Sequence, residues 1–118
     1  MKQMKRFSSW YPLTEEGIAG HAPGGAAALQ VKRARGLVEY PAGKSAMLWY
    51  AYASQDAART LRECFGDELD TRECRGHGPL LFRYAAGGEE ARETVDYVFR
   101  RFLTNFGAPP VFNDSDSA

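Results

Sequence analysis

Trp49, Tyr50, Tyr52, Phe82 and Tyr84 fall on two short apolar runs, and Lys32, Arg33, Arg35 and Arg83 lie on or beside such runs. Rings next to cations can stack bases while the charges neutralise phosphates, which is the chemistry of single-stranded nucleic-acid binding. Trp, Tyr and Arg are also the residues enriched in protein interfaces. In a chain of 118 residues, about half of these rings are expected to serve as core.

Other candidate chemistry is thinner. Pro41-Ala42-Gly43-Lys44-Ser45 ends like a phosphate-binding loop, but that pattern needs a glycine where Val38 stands. A strand rather than a helix is expected after it, so no helix N-terminus would receive a phosphate. The segment therefore reads as a hairpin turn, with Lys44 at its tip. Cys64 and Cys74, with nine residues between them, have neither the spacing of a zinc pair nor the number of a disulfide framework. Cys64 is expected on the packed face of its helix. His21 and His77 lack a neighbouring nucleophile, and no serine lies in an elbow motif.

These residues must be positioned by a small set of elements. Thr14 followed by Glu15 and Glu16 can cap and open a short helix, with both carboxylates near the positive end of its dipole. Trp10 is expected to anchor this N-terminal arm, residues 1–22, onto the domain. Ala26–Arg33 reads as a strand, Leu37–Tyr40 as a brief extended piece, and Ser45–Tyr52 as the strongest strand. Asp56 is placed to cap a helix whose apolar stripe is Ala58, Leu61, Cys64 and Phe65, ending at Gly66. Pro79–Ala85 reads as a third strand. Glu89 and Glu90 open a last helix, with Val95, Val98, Phe99, Phe102 and Leu103 on its buried face and Gly107 as its stop. Residues 109–113 are expected to pack back, and 114–118 to form a frayed, disordered polar tail. The order β-β-α-β-α predicts an α+β fold, with a small antiparallel or mixed three-stranded sheet packed with helices.

This succession over residues 23–113 resembles the GIY-YIG nuclease superfamily. In that family one tripeptide lies on each of the first two strands, an arginine on the first helix, a metal-binding glutamate on a later helix, and an asparagine closes the domain. The resemblance places the first tripeptide at Gly25-Ala26-Ala27 and the second at Trp49-Tyr50-Ala51, with Tyr50 in the tyrosine role if the register shifts by one. It offers Arg59 or Arg62 as the arginine, Arg59 lying ten residues beyond Trp49. It gives Asp96 or Glu93 as the acid that would hold Mg²⁺ or Mn²⁺, and Asn113, three residues after Pro110, as the closing residue. Alanine stands where a tyrosine is expected on the first strand. Indole is a hydrogen-bond donor that neither ionises nor accepts a proton near neutral pH, so Trp49 cannot replace a phenol as acid or base.

The resemblance thus implies a catalytically inactive, nuclease-like domain that needs no cofactor. It would serve as a nucleic-acid-binding or regulatory module, with Lys32, Arg33, Arg35, Lys44 and Arg59 contacting DNA. Two alternatives stand beside it: an active divalent-metal endonuclease, and a protein-binding or self-associating adaptor. The 15 basic and 15 acidic residues balance, so the chain lacks the excess cation of a strongly basic nucleic-acid binder. The balance is uneven, with seven basic against three acidic in residues 1–50 and eight against twelve in the rest. The sequence shows no signal-peptide core and no membrane-length apolar run, so a cytoplasmic protein with no membrane partner is expected.

Overall fold

The structure, a computed structural model, describes residues 6–69 and 76–115. Its centre is β2 (Ala27–Arg33), flanked on one side by β5 (Met47–Ala53) and on the other by β6 (Leu80–Ala86), all antiparallel. A two-residue strand, β1 (Tyr11–Pro12), adds to the far side of β6 and gives the order β1-β6-β2-β5. The fold is α+β as expected, but the main sheet has four strands rather than three. The fourth comes from the arm: Ser8 donates its N–H to the Tyr84 carbonyl at 2.7 Å and Leu13 donates to Leu80 at 2.9 Å. Two residues are too short to show an alternating pattern, so β1 left no periodic trace in the sequence.

A second, two-stranded sheet pairs β3 (Val38–Tyr40) with β4 (Gly43–Ser45) around Pro41 and Ala42. This is the hairpin expected of the Pro-Ala-Gly-Lys-Ser segment. The helices are α1 (Glu15–His21), α2 (Ala57–Phe65), α3 (Glu89–Phe106) and α4 (Val111–Ser115), with a 3-10 turn at Gly66–Glu68. None of the described helices is long and apolar enough to cross a membrane.

Side chains alternate across β2 and so separate two layers. Ala27, Leu29 and Val31 pack with Ala57, Leu61 and Phe65 of α2 and with Phe112 of α4. Ala28 points the other way, packing with its β6 neighbour Ala85 and with Ala91 and Val95 of α3. The helices α2 and α3 therefore cover opposite faces. Between Val31 and Lys32 the register with β5 slips by one residue, which leaves Leu48 as the bulged position. Leu48, Trp49 and Tyr50 are consecutive yet all buried, because the bulge and covering helices on both faces leave no solvated side.

Local signals explain the helix ends. Thr14 Oγ1 accepts the Gly17 N–H at 3.0 Å, and Asp56 Oδ1 accepts the Arg59 N–H at 3.0 Å. Gly17 is required by a close approach: a Cβ there would lie 2.1 Å from the Pro12 carbonyl oxygen. Gly107 ends α3 in the left-handed region at φ +77°, and its N–H donates to the Leu103 carbonyl at 2.9 Å.

Three details of the sequence reading are corrected. The buried line of α2 is Ala57, Leu61 and Phe65, so Cys64 is exposed rather than packed. Helical geometry puts Ala58 and Cys64 on opposite flanks of that line, and the core takes the Ala58 side. On α3, Leu103 is 39% exposed, whereas Ala91 and Thr94, nearer the start of the helix, are buried. Residues 111–115 continue as α4, so the polar tail does not begin at 114; residues 116–118 lie outside the described residues. The 3-10 turn at Gly66–Glu68 follows α2 directly, and Cys74 lies outside the described residues.

Candidate functional site

A row of polar side chains crosses the α3-facing side of the sheet. Gln30 of β2 stands directly opposite Tyr50 of β5 and Arg83 of β6. Gln30 is 2% exposed within the otherwise apolar run Ala27–Val31. Such a group is stable only if bonded, and its Oε1 accepts from Arg83 Nε at 2.5 Å. The Arg83 guanidinium also lies 4.7 Å from the centre of the Phe7 ring and 4.4 Å from that of Trp10, while Lys32 Nζ lies 4.4 Å from Trp10 on the same arm. Trp10 thus anchors the arm, as its position suggested, by covering two cations.

Over this row α3 forms the wall of a groove of about 260 Å³, contributed by Tyr97, Arg101, Phe102 and Asn105. Arg101 Nη1 donates to the Tyr97 hydroxyl at 3.1 Å. Phe102 meets Tyr50 edge to face, with centroids 5.8 Å apart. None of the residues lining the groove is acidic. Burial pushes the Tyr50 phenol up to about 12, with Arg83 opposing the shift and Tyr40 adding to it. Burial likewise pulls the Arg83 guanidinium below its ordinary value, with Tyr50 opposing. At neutral pH the groove therefore presents a neutral phenol able to donate a hydrogen bond and a cation with no carboxylate partner among the described residues.

The residues singled out from the sequence do not gather at one place. Trp49 is 4% exposed and packs edge to face on Phe65 at 5.2 Å, on the α2 side of the sheet. Phe82 is fully buried, and Tyr52 and Tyr84 are half-buried. The strand aromatics are therefore not an open stacking platform, because α2 and α3 cover the two faces that would present them. Arg59 is exposed on α2 and paired with Glu63 at 2.8 Å. Arg62 reaches across to Glu15 of α1 at 2.7 Å. Glu93 and Asp96 ride on α3, with the sheet between them and both arginines. Asn113, on α4, bonds the backbone of Tyr50: its Oδ1 accepts the N–H at 2.9 Å and its Nδ2 donates to the carbonyl at 2.8 Å.

The expected DNA-contacting set is spread out as well. Lys32 lies on the arm side of the sheet, and Arg33 donates to the Leu37 carbonyl at 3.4 Å. Arg35 is exposed between β2 and β3, Lys44 pairs with Glu39 at 3.6 Å on the hairpin, and Arg59 is on α2. Among the described residues no group of three or more His, Cys, Asp or Glu side chains is arranged to hold a metal ion.

Sequence reasoning missed Gln30, Tyr97, Arg101 and Asn105 as site residues. One signal was present: Gln30 interrupts the apolar run Ala27–Val31 at an inward position. Comparison with family models, with curated proteins and with solved structures finds no match to this chain.

Proposed function

We propose that this chain is a binding module that keeps a GIY-YIG-like scaffold without its hydrolytic chemistry, and that its ligand is nucleic acid. The scaffold half of the reading is supported by the succession β2, β5, α2, β6, α3, followed by an asparagine after Pro110. The observation that carries the loss of chemistry is Trp49. At the position where the resemblance expects a tyrosine, an indole is sealed against Phe65. Tyr50, the alternative phenol, has its pKa pushed up to about 12, so it is a hydrogen-bond donor rather than a base near neutrality. Phosphodiester hydrolysis needs charge neutralisation and an activated water at one place. Here Arg59 and Arg62 are paired with glutamates and separated by the sheet from Glu93 and Asp96.

The ligand half rests on cations grouped with rings. Lys32 and Arg83 share Trp10, and Arg83 and Arg101 share the groove. This differs from the set expected from the sequence and keeps only Lys32 of it.

The test has two stages. Incubation with Mg²⁺ or Mn²⁺ and plasmid, branched or single-stranded DNA should give no cleavage. Binding of a fluorescent single-stranded oligonucleotide should weaken as salt rises, with a log–log slope of about −2 for three phosphate contacts. Cleavage that disappears in both Arg59→Ala and Asp96→Ala would overturn the loss of hydrolysis. Absence of binding at low salt, or a flat salt response, would overturn the nucleic-acid reading.

A further inference from the structure

We propose that the groove between α3 and the sheet is a site for a single nucleotide unit, its phosphate held by Arg83 and Arg101 and its base lying against Tyr97 and Phe102. The proposal rests on the nucleic-acid reading above and assigns it a place.

Three observations carry it. Arg83 is a half-buried cation whose only hydrogen-bond partner among the described residues is the neutral amide of Gln30. The Phe7 and Trp10 rings attract this partly desolvated charge but do not neutralise it, and an anionic ligand supplies the counter-charge. The groove then offers that anion a second guanidinium, Arg101, together with the hydroxyl of Tyr50 and the amide of Asn105, while no lining residue is acidic. Guanidinium forks match phosphate oxygens in pairs, which is why arginine recurs wherever such groups are recognised. Finally, the remaining walls combine the rings of Tyr97, Phe102 and Phe106 with the aliphatic side chains of Met47 and Val98, and the volume of about 260 Å³ lies just under the roughly 300–1,000 Å³ of drug-sized pockets. That space suits one base and one phosphate.

Two other concavities among the described residues lack this combination. A hollow of about 320 Å³ at the start of α2 contains Arg59, but Glu63 already neutralises it, and Asp56 is occupied in capping the helix. A third, of about 370 Å³ around Gly17 and His21, contains Glu16 and no arginine or lysine.

The nucleotide can come from two sources, a free monophosphate or the phosphorylated end of a strand, and calorimetric titration of the full chain distinguishes them. The probes are adenosine 5′-monophosphate, adenosine, inorganic phosphate, and a short single-stranded oligonucleotide with or without a 5′-phosphate. Adenosine 5′-monophosphate should bind, with adenosine and inorganic phosphate each weaker by roughly tenfold or more, since each lacks one half of the recognition. Arg83→Gln and Arg101→Gln should each weaken it by a similar factor. Arg101 is exposed, so its variant reports on the site even if Arg83→Gln fails to fold. A strand end as the source requires the 5′-phosphorylated oligonucleotide to bind more tightly than its unphosphorylated twin, with the difference erased in Arg101→Gln. If the oligonucleotides bind equally in wild type and Arg101→Gln while the monophosphate does not bind, the groove assignment falls and the nucleic-acid reading survives. If the monophosphate binds in an Arg101-dependent way and no oligonucleotide binds, the groove stands and the wider reading falls.

Discussion

The side-chain amide of Asn113 forms both hydrogen bonds of a β-pair with the backbone of Tyr50, 63 positions away in the chain. The amide stands in for a neighbouring strand and locks α4 against β5. Its place three residues after Pro110 is what the nuclease resemblance would give to a closing asparagine. The geometry gives it a structural task.

Asn113→Ala should therefore destabilise the fold by about 1–3 kcal/mol, because it leaves a part-buried N–H and carbonyl without partners. Asn113→Asp keeps an acceptor for the N–H but sets a carboxylate oxygen against the Tyr50 carbonyl, so it should not rescue stability above pH 5. Urea denaturation of the three proteins measures both effects. A midpoint unchanged in Asn113→Ala would show that the pair contributes nothing to stability.

Tyr50 predicts an alkaline loss of stability. Its pKa in the folded protein is raised to about 12 from an ordinary value of 10.0. The folded state thus holds the proton more tightly than the unfolded chain. That contribution is complete below pH 10 and is lost as pH rises through 12, an effect of about 2–3 kcal/mol. Burial raises Tyr40 in the same direction. Denaturation midpoints measured between pH 8 and pH 12 should fall, and Tyr50→Phe should flatten much of the slope. A slope identical in the variant would show that the phenol is not the titrating group.

The α2 arginines should matter little. Arg59–Glu63 and Arg62–Glu15 are exposed ion pairs, and such pairs contribute about 0–1 kcal/mol. Arg59→Ala should leave both stability and oligonucleotide affinity nearly unchanged. A double-mutant cycle on Arg62 and Glu15 should give a small coupling that shrinks with added salt.

Trp49→Tyr tests the missing chemistry. The substitution restores the residue that the nuclease resemblance expects, but it places a hydroxyl beside Phe65 in a water-excluding core. It should cost about 1–3 kcal/mol and yield no cleavage with Mg²⁺ or Mn²⁺. Hydrolysis gained by this single change would show that only the phenol was missing.

The long elements were legible because each carried its own period and its own stop. The aromatic run ending at Ala53, the stripe around Leu61, and the helix from Glu89 to the left-handed Gly107 are examples. The arm strand and α4 were not legible. Tyr11 and Pro12 are held by what they pair with, and α4 packs through Phe112 and Asn113 rather than through a repeating apolar face. The groove was hidden for a different reason. Gln30, Tyr50 and Arg83 form a row only through strand register, and Arg101 joins them only because α3 crosses above. Spacing along the chain carries no record of either relation.

The stand-in amide also bears on how copies of this molecule meet. At Tyr50 the outward backbone groups of β5 are already engaged by Asn113, and the Met47 carbonyl accepts from the Tyr40 hydroxyl at 2.7 Å. The opposite border is two residues long and includes a proline, which has no N–H to offer. Among the described residues neither rim of the main sheet presents a long open template for an incoming chain, which disfavours ladder-type pairing through this sheet.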